Sequence, residues 1–465
     1  MIQAAVTAVV DKAEIERTLA GARDRDARHV REVLAKAREL HGLSPADVAA
    51  LMEVSDPELL GELFSTARKV KEEIYGRRLV LFAPLYISNL CSNECLYCAF
   101  RARNKEVQRR ALTQDEIARE TQLLVDQGHK RILIVAGESY PNEGFSYVLK
   151  AIETVYSVTR GRGEIRRVNA NVAPLSVDEF KQLKAARIGT YQLFQETYHR
   201  GTYSKVHLGG RKRDYDWRVT APDRAMEAGI DDVGIGVLFG LFDWRFEILA
   251  LMQHIRHLEE RFGVGPHTIS VPRLEPAVGS DMAAHPPHAV SDVDFRKIVA
   301  IVRLAVPYTG IIMSTRETPN LRRETFALGV SQISAGSRTN PGGYAEDEEY
   351  EAAQFQLGDH RPLDAVIRDV AALGYIPSFC TACYRLGRTG KDFMDLAKPG
   401  EIKNHCDPNA LSTFLEYLLD YASPETRAVG EQCVAKSLAA MTPEQRGVSE
   451  RMLRDVRAGK RDVFC

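Results

Sequence analysis

From Arg77 onward the chain alternates short apolar runs with amphipathic segments, and that alternation restricts the fold more than any other feature. Eight runs read as strands: residues 79–85, 132–136, 168–172, 191–194, 233–238, 268–271, 311–314 and 331–334. The segments between them carry helix starts, such as the capping-box spacing of Thr113-Gln-Asp-Glu116 and the Ser176 that leads into VDEFKQL. Gly128, Gly189 and Gly229 stand where such helices should stop. Eight strand–helix units in roughly 260 residues predict an α/β fold of the closed (β/α)8 type. An open doubly wound sheet is the alternative, because strand order is not written in a sequence. Residues 1–76 read as an N-terminal helical extension, with Ser44-Pro45 and Asp56-Pro57 as helix starts and Leu63, Ala67, Val70 and Ile74 on one stripe. Residues 77–340 are assigned to the barrel and 341–465 to a mainly helical C-terminal domain.

The first strand runs into PLYISNLCSNECLYCAFRARN, which places Cys91, Cys95 and Cys98 in a C-x3-C-x2-C pattern. Three thiolates on one loop can hold three irons of a 4Fe–4S cube and leave the fourth open, whereas a structural cube takes four cysteines. A zinc site, which wants four ligands, and three cysteines that merely cluster are the alternatives. With 62 basic and 63 acidic residues there is no global attraction to nucleic acid or an anionic membrane. No apolar run approaches the ~20 residues of a membrane span. The N-terminus does not read as a signal peptide, and eight cysteines in such a chain indicate a reducing, cytoplasmic setting where thiols bind metal.

In a barrel of this type the chemistry gathers at the C-terminal strand ends. Gly137-Glu138 follows strand two: the Gly permits close backbone approach, and the Glu suits an ammonium group or is a solvated turn residue. Asn169 and Asn171 flank strand three, and Glu196, Tyr198 and His199 close strand four. Gly234 and Gly236 alternate inside strand five, as if its backbone were pressed against something flat such as an adenine. Arg316, with Ser314 beside it and Ser337 after strand eight, forms a clamp for a substrate carboxylate, unless it is a surface residue paired with Glu317.

A second triad, Cys380, Cys383 and Cys406, is spaced C-x2-C-x22-C. A second open cube is preferred over zinc with His405 as fourth ligand, because neighbours in an extended segment point to opposite faces. Cys433 reads as core and Cys465 as an exposed thiol. His267 begins strand six, at the opposite end of the barrel from the first triad, where it becomes a candidate iron ligand.

C-x3-C-x2-C with Tyr97 ahead of the third cysteine resembles the signature of radical S-adenosylmethionine (SAM) enzymes. The resemblance implies a 4Fe–4S cluster on Cys91, Cys95 and Cys98 that binds SAM and cleaves it to a 5′-deoxyadenosyl radical. It implies Gly137 and Glu138 at the methionyl amine, Glu196 at the ribose or amine, and Arg218 at the SAM carboxylate. The complete barrel, QETYH, GPHTISVPRL, STRE, SAGS and the second triad together resemble the tyrosine lyases that mature FeFe-hydrogenase, the HydG family. The sibling lyase of thiazole synthesis shares the barrel but lacks that triad. This resemblance implies cleavage of the L-tyrosine Cα–Cβ bond to p-cresol and dehydroglycine, and conversion of the latter to CO and cyanide. It implies an auxiliary 4Fe–4S cluster with a labile fifth iron, held by His267 and a free cysteine and released as an Fe(CO)2(CN) unit. Expected partners are a ferredoxin or flavodoxin donor and hydrogenase maturation proteins, with no nucleic acid and no membrane. The choice of tyrosine over tryptophan comes with the resemblance and with no residue.

Overall fold

A computed structural model describes residues 9–22, 26–346 and 353–465; part of the N-terminal stretch weighed as a signal peptide lies outside them. Eight parallel strands form the centre: β1 (Arg78–Ser88), β2 (Arg131–Ala136), β3 (Arg167–Asn171), β4 (Tyr191–Glu196), β5 (Val233–Val237), β6 (Thr268–Ser270), β7 (Gly310–Met313) and β8 (Gln332–Ser334). Each expected strand is present, with ends moved by a few residues. β8 returns to β1 in the register Val80↔Gln332, Leu81↔Ile333 and Phe82↔Ser334, so the sheet closes and the doubly wound alternative falls.

The helices form where the caps stand. Thr113 and Ser176 each accept from the N3 backbone while Glu116 and Glu179 reach back, closing two capping boxes. Ser44 and Asp56 cap the N-terminal helices Pro45–Met52 and Pro57–Tyr75, each with Pro in its first turn. The second buries Leu63, Ala67, Val70 and Ile74 against the helices Asp292–Ala305 and Pro319–Leu328 on the barrel's outside. No helix among the described residues is long and apolar enough to cross a membrane.

One strand was not expected. β9 (Ile376–Ser378) lies parallel to the first residues of β1, with Arg78↔Ile376, Leu79↔Pro377 and Val80↔Ser378. β1 is therefore long for a reason: its start is sandwiched between β8 and β9, and its remainder, from Ala83, pairs with β2. Pro377, which cannot donate to a ladder, is tolerated on this edge strand. β9 leads directly into Cys380 at the N-terminal end of the barrel. The helix Lys403–Asp420, which packs on β9, carries Cys406 beneath the same end. Arg166, just ahead of β3, ties that helix down through Glu416 (3.1 and 2.6 Å), with both side chains buried.

Candidate functional site

The C-terminal strand ends open into a cavity of about 1410 Å³, counting the part open to solvent, lined by all three cysteines of the first triad. Gly137 fixes their loop. Its N–H donates to Ser88 O (2.9 Å), Ser139 N donates to Leu90 O (3.2 Å), and a Cβ on Gly137 would stand 2.1 Å from that Leu90 oxygen. The glycine thus admits the cysteine loop's own backbone. Burial pushes the three thiols up, Cys98 to about 11, while the Lys212 ammonium opposes the shift at each. Thiols this hard to ionise in place become good ligands once a cation is bound between them, which fits a metal cluster. Among the described residues no three Cys, His or carboxylate groups converge tightly enough for one ion. That is a demand of zinc, whereas a cube spreads its ligands over separate corners.

Beside the triad, four charged side chains interlock. Glu138 accepts from Arg218 Nη1 (2.8 Å) and Asn93 Nδ2 (2.8 Å); Glu196 accepts from Lys212 Nζ (2.6 Å), with Arg218 Nη2 at 3.5 Å. Burial alone would raise Glu138, but Arg218 and Lys212 hold it below the usual carboxylate value. Arg218 is 3 % exposed and also donates to Phe194 O (2.8 Å), so it bridges both acids expected to bind SAM. Lys212, a few residues earlier, was not singled out from the sequence.

Glu196 itself has φ of 71°, at a register shift in the β4–β5 ladder. Glu247, from the helix Trp244–Phe262, holds the turn after it, accepting from Thr197 Oγ1 and from Tyr198 N (2.8 Å). Tyr97 lines the cavity and bonds His207 Nε2 (2.8 Å). His207 Nδ1 sits 2.9 Å from Tyr203 O and must donate there, so Tyr97 is the donor to Nε2. Tyr198 and His199 are packing groups: Tyr198 bonds His254, and His199 caps Arg200–Val206 and stacks on Phe242 at 3.9 Å.

On the opposite wall Arg316 lies over the Phe355 ring (3.2 Å) and lines the cavity with Ser314, whose Oγ accepts from Arg316 N (3.3 Å). Glu317 is bonded by Arg273 instead (3.0 Å), and among the described residues Arg316 has no ion pair, so the surface-pair alternative fails. Ser337 does not line the cavity: its hydroxyl is buried without a hydrogen bond among the described residues, while Ser334 and Thr339 reach the wall. Gly234 and Gly236 do not reach it either. Their added Cβ atoms would meet Thr268 Oγ1 (2.5 Å) and Phe194 Cδ1 (2.8 Å). The surfaces pressed on them are the barrel's own side chains, and they make room for the cavity-lining Gln192 and Phe194, their partners in register.

A second pocket, of about 580 Å³, lies at the other end of the barrel and collects Cys380, Cys383, Cys406 and His267. Arg131 Nη1 donates to Cys380 O (2.7 Å), and Arg78 lines the wall. The neighbouring Cys383 thiol holds the Cys406 thiol below its usual value, against burial and with help from Arg78. Burial keeps the His267 imidazole below its usual value, hence neutral and able to ligate, and its Nδ1, 3.6 Å from Asp232 Oδ1, has no hydrogen bond among the described residues. His405 is half-exposed and absent from the wall. The reason differs from the one anticipated: the segment is helical, so adjacent side chains diverge around an axis. Cys433 is core, its thiol on Tyr375 O. Cys465 is half-buried, its backbone held by Asn409 and Arg388, and is not the exposed thiol expected.

Comparison with known proteins agrees with this geometry. The Radical SAM superfamily model matches residues 85–252, and the Biotin and Thiamin Synthesis associated domain model matches residues 270–376. The 2-iminoacetate synthase of Escherichia coli (strain K12) is 33% identical over 353 residues, covering 75% of this chain and 90% of that protein. A crystal structure of HydG, a maturase of the [FeFe]-hydrogenase, superposes with a TM-score of 0.95 at 48% identity, covering 99% of this chain and 100% of that one. HydG from Carboxydothermus hydrogenoformans gives a TM-score of 0.84 at 41% identity over 96% of this chain and 98% of its own. Membership of the radical SAM superfamily implies a 4Fe–4S cluster and SAM, and with both cysteine sets in place the chain belongs to the HydG family of radical SAM lyases.

Proposed function

We propose that the chain cleaves L-tyrosine at its upper cavity and assembles an iron–CO–cyanide unit at its lower pocket. The observation that carries this reading is the placement of two cysteine triads at the two ends of one barrel. Lining residues of the two cavities are only two apart on four strands: Val80 and Phe82, Arg131 and Leu133, Gly310 and Ile312, Gln332 and Ser334. Such residues share a face and are separated by about 7 Å.

Cys91, Cys95 and Cys98 would hold the SAM-binding 4Fe–4S cluster, which supplies the electron that cleaves SAM and so starts hydrogen abstraction from the tyrosine amino group. Glu138 and Glu196 offer anions to the SAM amine and ribose, and Arg218 and Lys212 offer cations to its carboxylate. Each of these pairs must loosen as the ligand takes its place. Among the described residues Arg316 forms no ion pair, so it takes the tyrosine carboxylate with Ser314 alongside. Phe82, Tyr86 and Leu133 give an apolar wall for the phenol ring. Cleavage of Cα–Cβ there yields p-cresol and dehydroglycine, and the barrel interior keeps the latter from solvent on its way to the lower pocket.

At the lower pocket Cys380, Cys383 and Cys406 would hold the auxiliary cluster, with His267 and a free cysteine as ligands of a labile fifth iron that leaves as cargo. CO and cyanide from dehydroglycine complete that cargo for hydrogenase maturation partners. The match to a 2-iminoacetate synthase favours a second reading, a lyase without CO chemistry. An anaerobic assay with reconstituted protein, SAM, reductant and L-tyrosine separates the two. We expect p-cresol and CO from the wild type, and p-cresol with little CO from Cys380→Ser/Cys383→Ser. Cresol without CO from both proteins would leave the plain lyase, and neither product would remove tyrosine as the substrate.

A further inference from the structure

The loop bearing Cys91, Cys95 and Cys98 is covered from outside by two basic arms. The first continues from Cys98 through Arg101, Arg103 and Lys105; the second runs from Lys205 to Arg213. Both are stitched to the residues between Cys91 and Cys95. Glu94 O accepts from Leu208 N (2.8 Å) and Glu94 N donates to Gly209 O (3.1 Å), while the Glu94 carboxylate accepts from Arg103 N (2.9 Å) and Arg101 Nη1 (2.9 Å). Asn93 repeats the pattern: its carbonyl accepts from Ala102 N (2.8 Å) and its Oδ1 from Lys212 N (3.0 Å). The arms are thereby fixed on the outer face of the cysteine loop, one on each side.

Their outward side chains carry unpaired positive charge among the described residues. Arg103, Lys105, Lys205, Arg211 and Arg213 are exposed, and among the described residues none forms an ion pair; Arg211 lies over the Trp217 ring at 4.0 Å. Of the nearby acids, Asp216 pairs with Arg200 and Asp214 caps Trp217 N, which leaves Glu106, exposed beside Lys105, against five cations. In a chain with 62 basic and 63 acidic residues this is a local excess of positive charge. Where the two arms meet on Glu94 stands Leu208, a large apolar residue that is 46 % exposed, in a segment bridged directly to Cys95 through His207.

An electron for a cluster on this loop has to come from another molecule, and transfer is fastest where the covering shell is thinnest. A cationic face with a small apolar centre suits a brief encounter with an anionic protein, steered by charge and burying little area. We infer that Leu208 and the surrounding Arg103, Lys105, Lys205, Arg211 and Arg213 form the docking surface for a small acidic one-electron carrier protein. This rests on the radical SAM assignment and not on the identity of the substrate. One electron leaves the reduced carrier and enters the site on the cysteine loop; the carrier is oxidised by one electron, and no bond or proton changes hands at the interface.

The test uses the full reconstituted chain and an acidic flavodoxin as probe. Binding of the oxidised flavodoxin is followed by fluorescence anisotropy, and 5′-deoxyadenosine release from SAM is measured with reduced flavodoxin and with a small chemical reductant. The variant Arg103→Glu/Lys105→Glu/Arg211→Glu/Arg213→Glu should bind the probe about tenfold more weakly or worse, with a matching fall in flavodoxin-driven release. Release driven by the chemical reductant should hold. Unchanged binding and flavodoxin-driven release in this variant would overturn the surface. Should charge reversal disturb the fold, Lys105→Ala/Arg213→Ala and a salt series on the wild type serve instead. A wild-type affinity indifferent to ionic strength would equally overturn it. No 5′-deoxyadenosine from the wild type with either reductant would remove the radical SAM assignment and this surface with it.

Discussion

Glu196 occupies a left-handed backbone conformation, which a non-glycine residue keeps only when its surroundings enforce it. Glu247 is what enforces it, from a helix about fifty positions downstream. Burial drives the Glu247 carboxyl up from 4.5 to about 7, outrunning the hydrogen bonds of Thr197, Tyr198 and His199 that pull it down. A carboxyl that is a weaker acid folded than unfolded contributes its full stability below the unfolded value. That contribution is lost as pH rises through the folded one. The window here is pH 4.5 to 7, and the loss is on the order of 3 kcal/mol. Glu247→Gln should flatten the fall in melting temperature between pH 5.5 and 7.5, and an unchanged slope would show that Glu247 does not titrate there. Arg316→Ala should raise the KM for the amino-acid substrate about a hundredfold, roughly the 3 kcal/mol of a lost charge-assisted pair, while leaving SAM affinity in place. Steady-state kinetics with separate SAM binding would decide it. Cys91, Cys95, Cys98, Glu138 and Arg316 were legible because strand ends and motifs mark them. Lys212 and Glu247 were not, since each acquires its role from a partner that only folding brings near.

Among the elements, the eight barrel strands could be read because each is an apolar run bounded by helix signals. β9 could not: three residues with a proline at the centre carry no periodicity, and its edge position is a fact of the assembled sheet. The helix Lys403–Asp420 was hidden for a similar reason, by Pro408 inside it. β9 nevertheless aims Cys380. Ile376 N donates to Arg77 O, so Ile376→Pro deletes a ladder bond at the start of that strand. The expected result is a protein that keeps the upper cluster and loses the lower one, about four irons per chain fewer on reconstitution. Full iron content in this variant would mean that β9 does not organise the lower site.

For the molecule as a whole, the two cavities are lined by successive inward layers of the same four strands. Gly310 belongs to the lower layer, where an added Cβ would already come within 3.1 Å of Gln332 Nε2 and 3.3 Å of His267 O. Gly310→Leu should therefore crowd the lower layer on the route proposed for dehydroglycine without touching the upper site, sparing p-cresol and lowering CO about tenfold. CO output equal to the wild type would mean that the diatomic product does not depend on this route. The closure of the barrel was legible only as a count of eight, and the layer that each inward residue occupies not at all, because inward residues are known once register is known.

The start of β1 is where the chain's most distant parts meet. Val80 pairs with Gln332, about 250 positions away, and Arg78 with Ile376, about 300 away. Loop closure over such spans is slow, and contacts of this kind form late. Cys380 follows the strand that makes the longer of them. The upper loop leans mainly on nearer parts of the chain, β1, β2 and the segment from Val206 to Gly209, the last about 110 positions away. Iron offered to a chain still being made would therefore find its first seat long before its second, and only a molecule that has finished its barrel can load both.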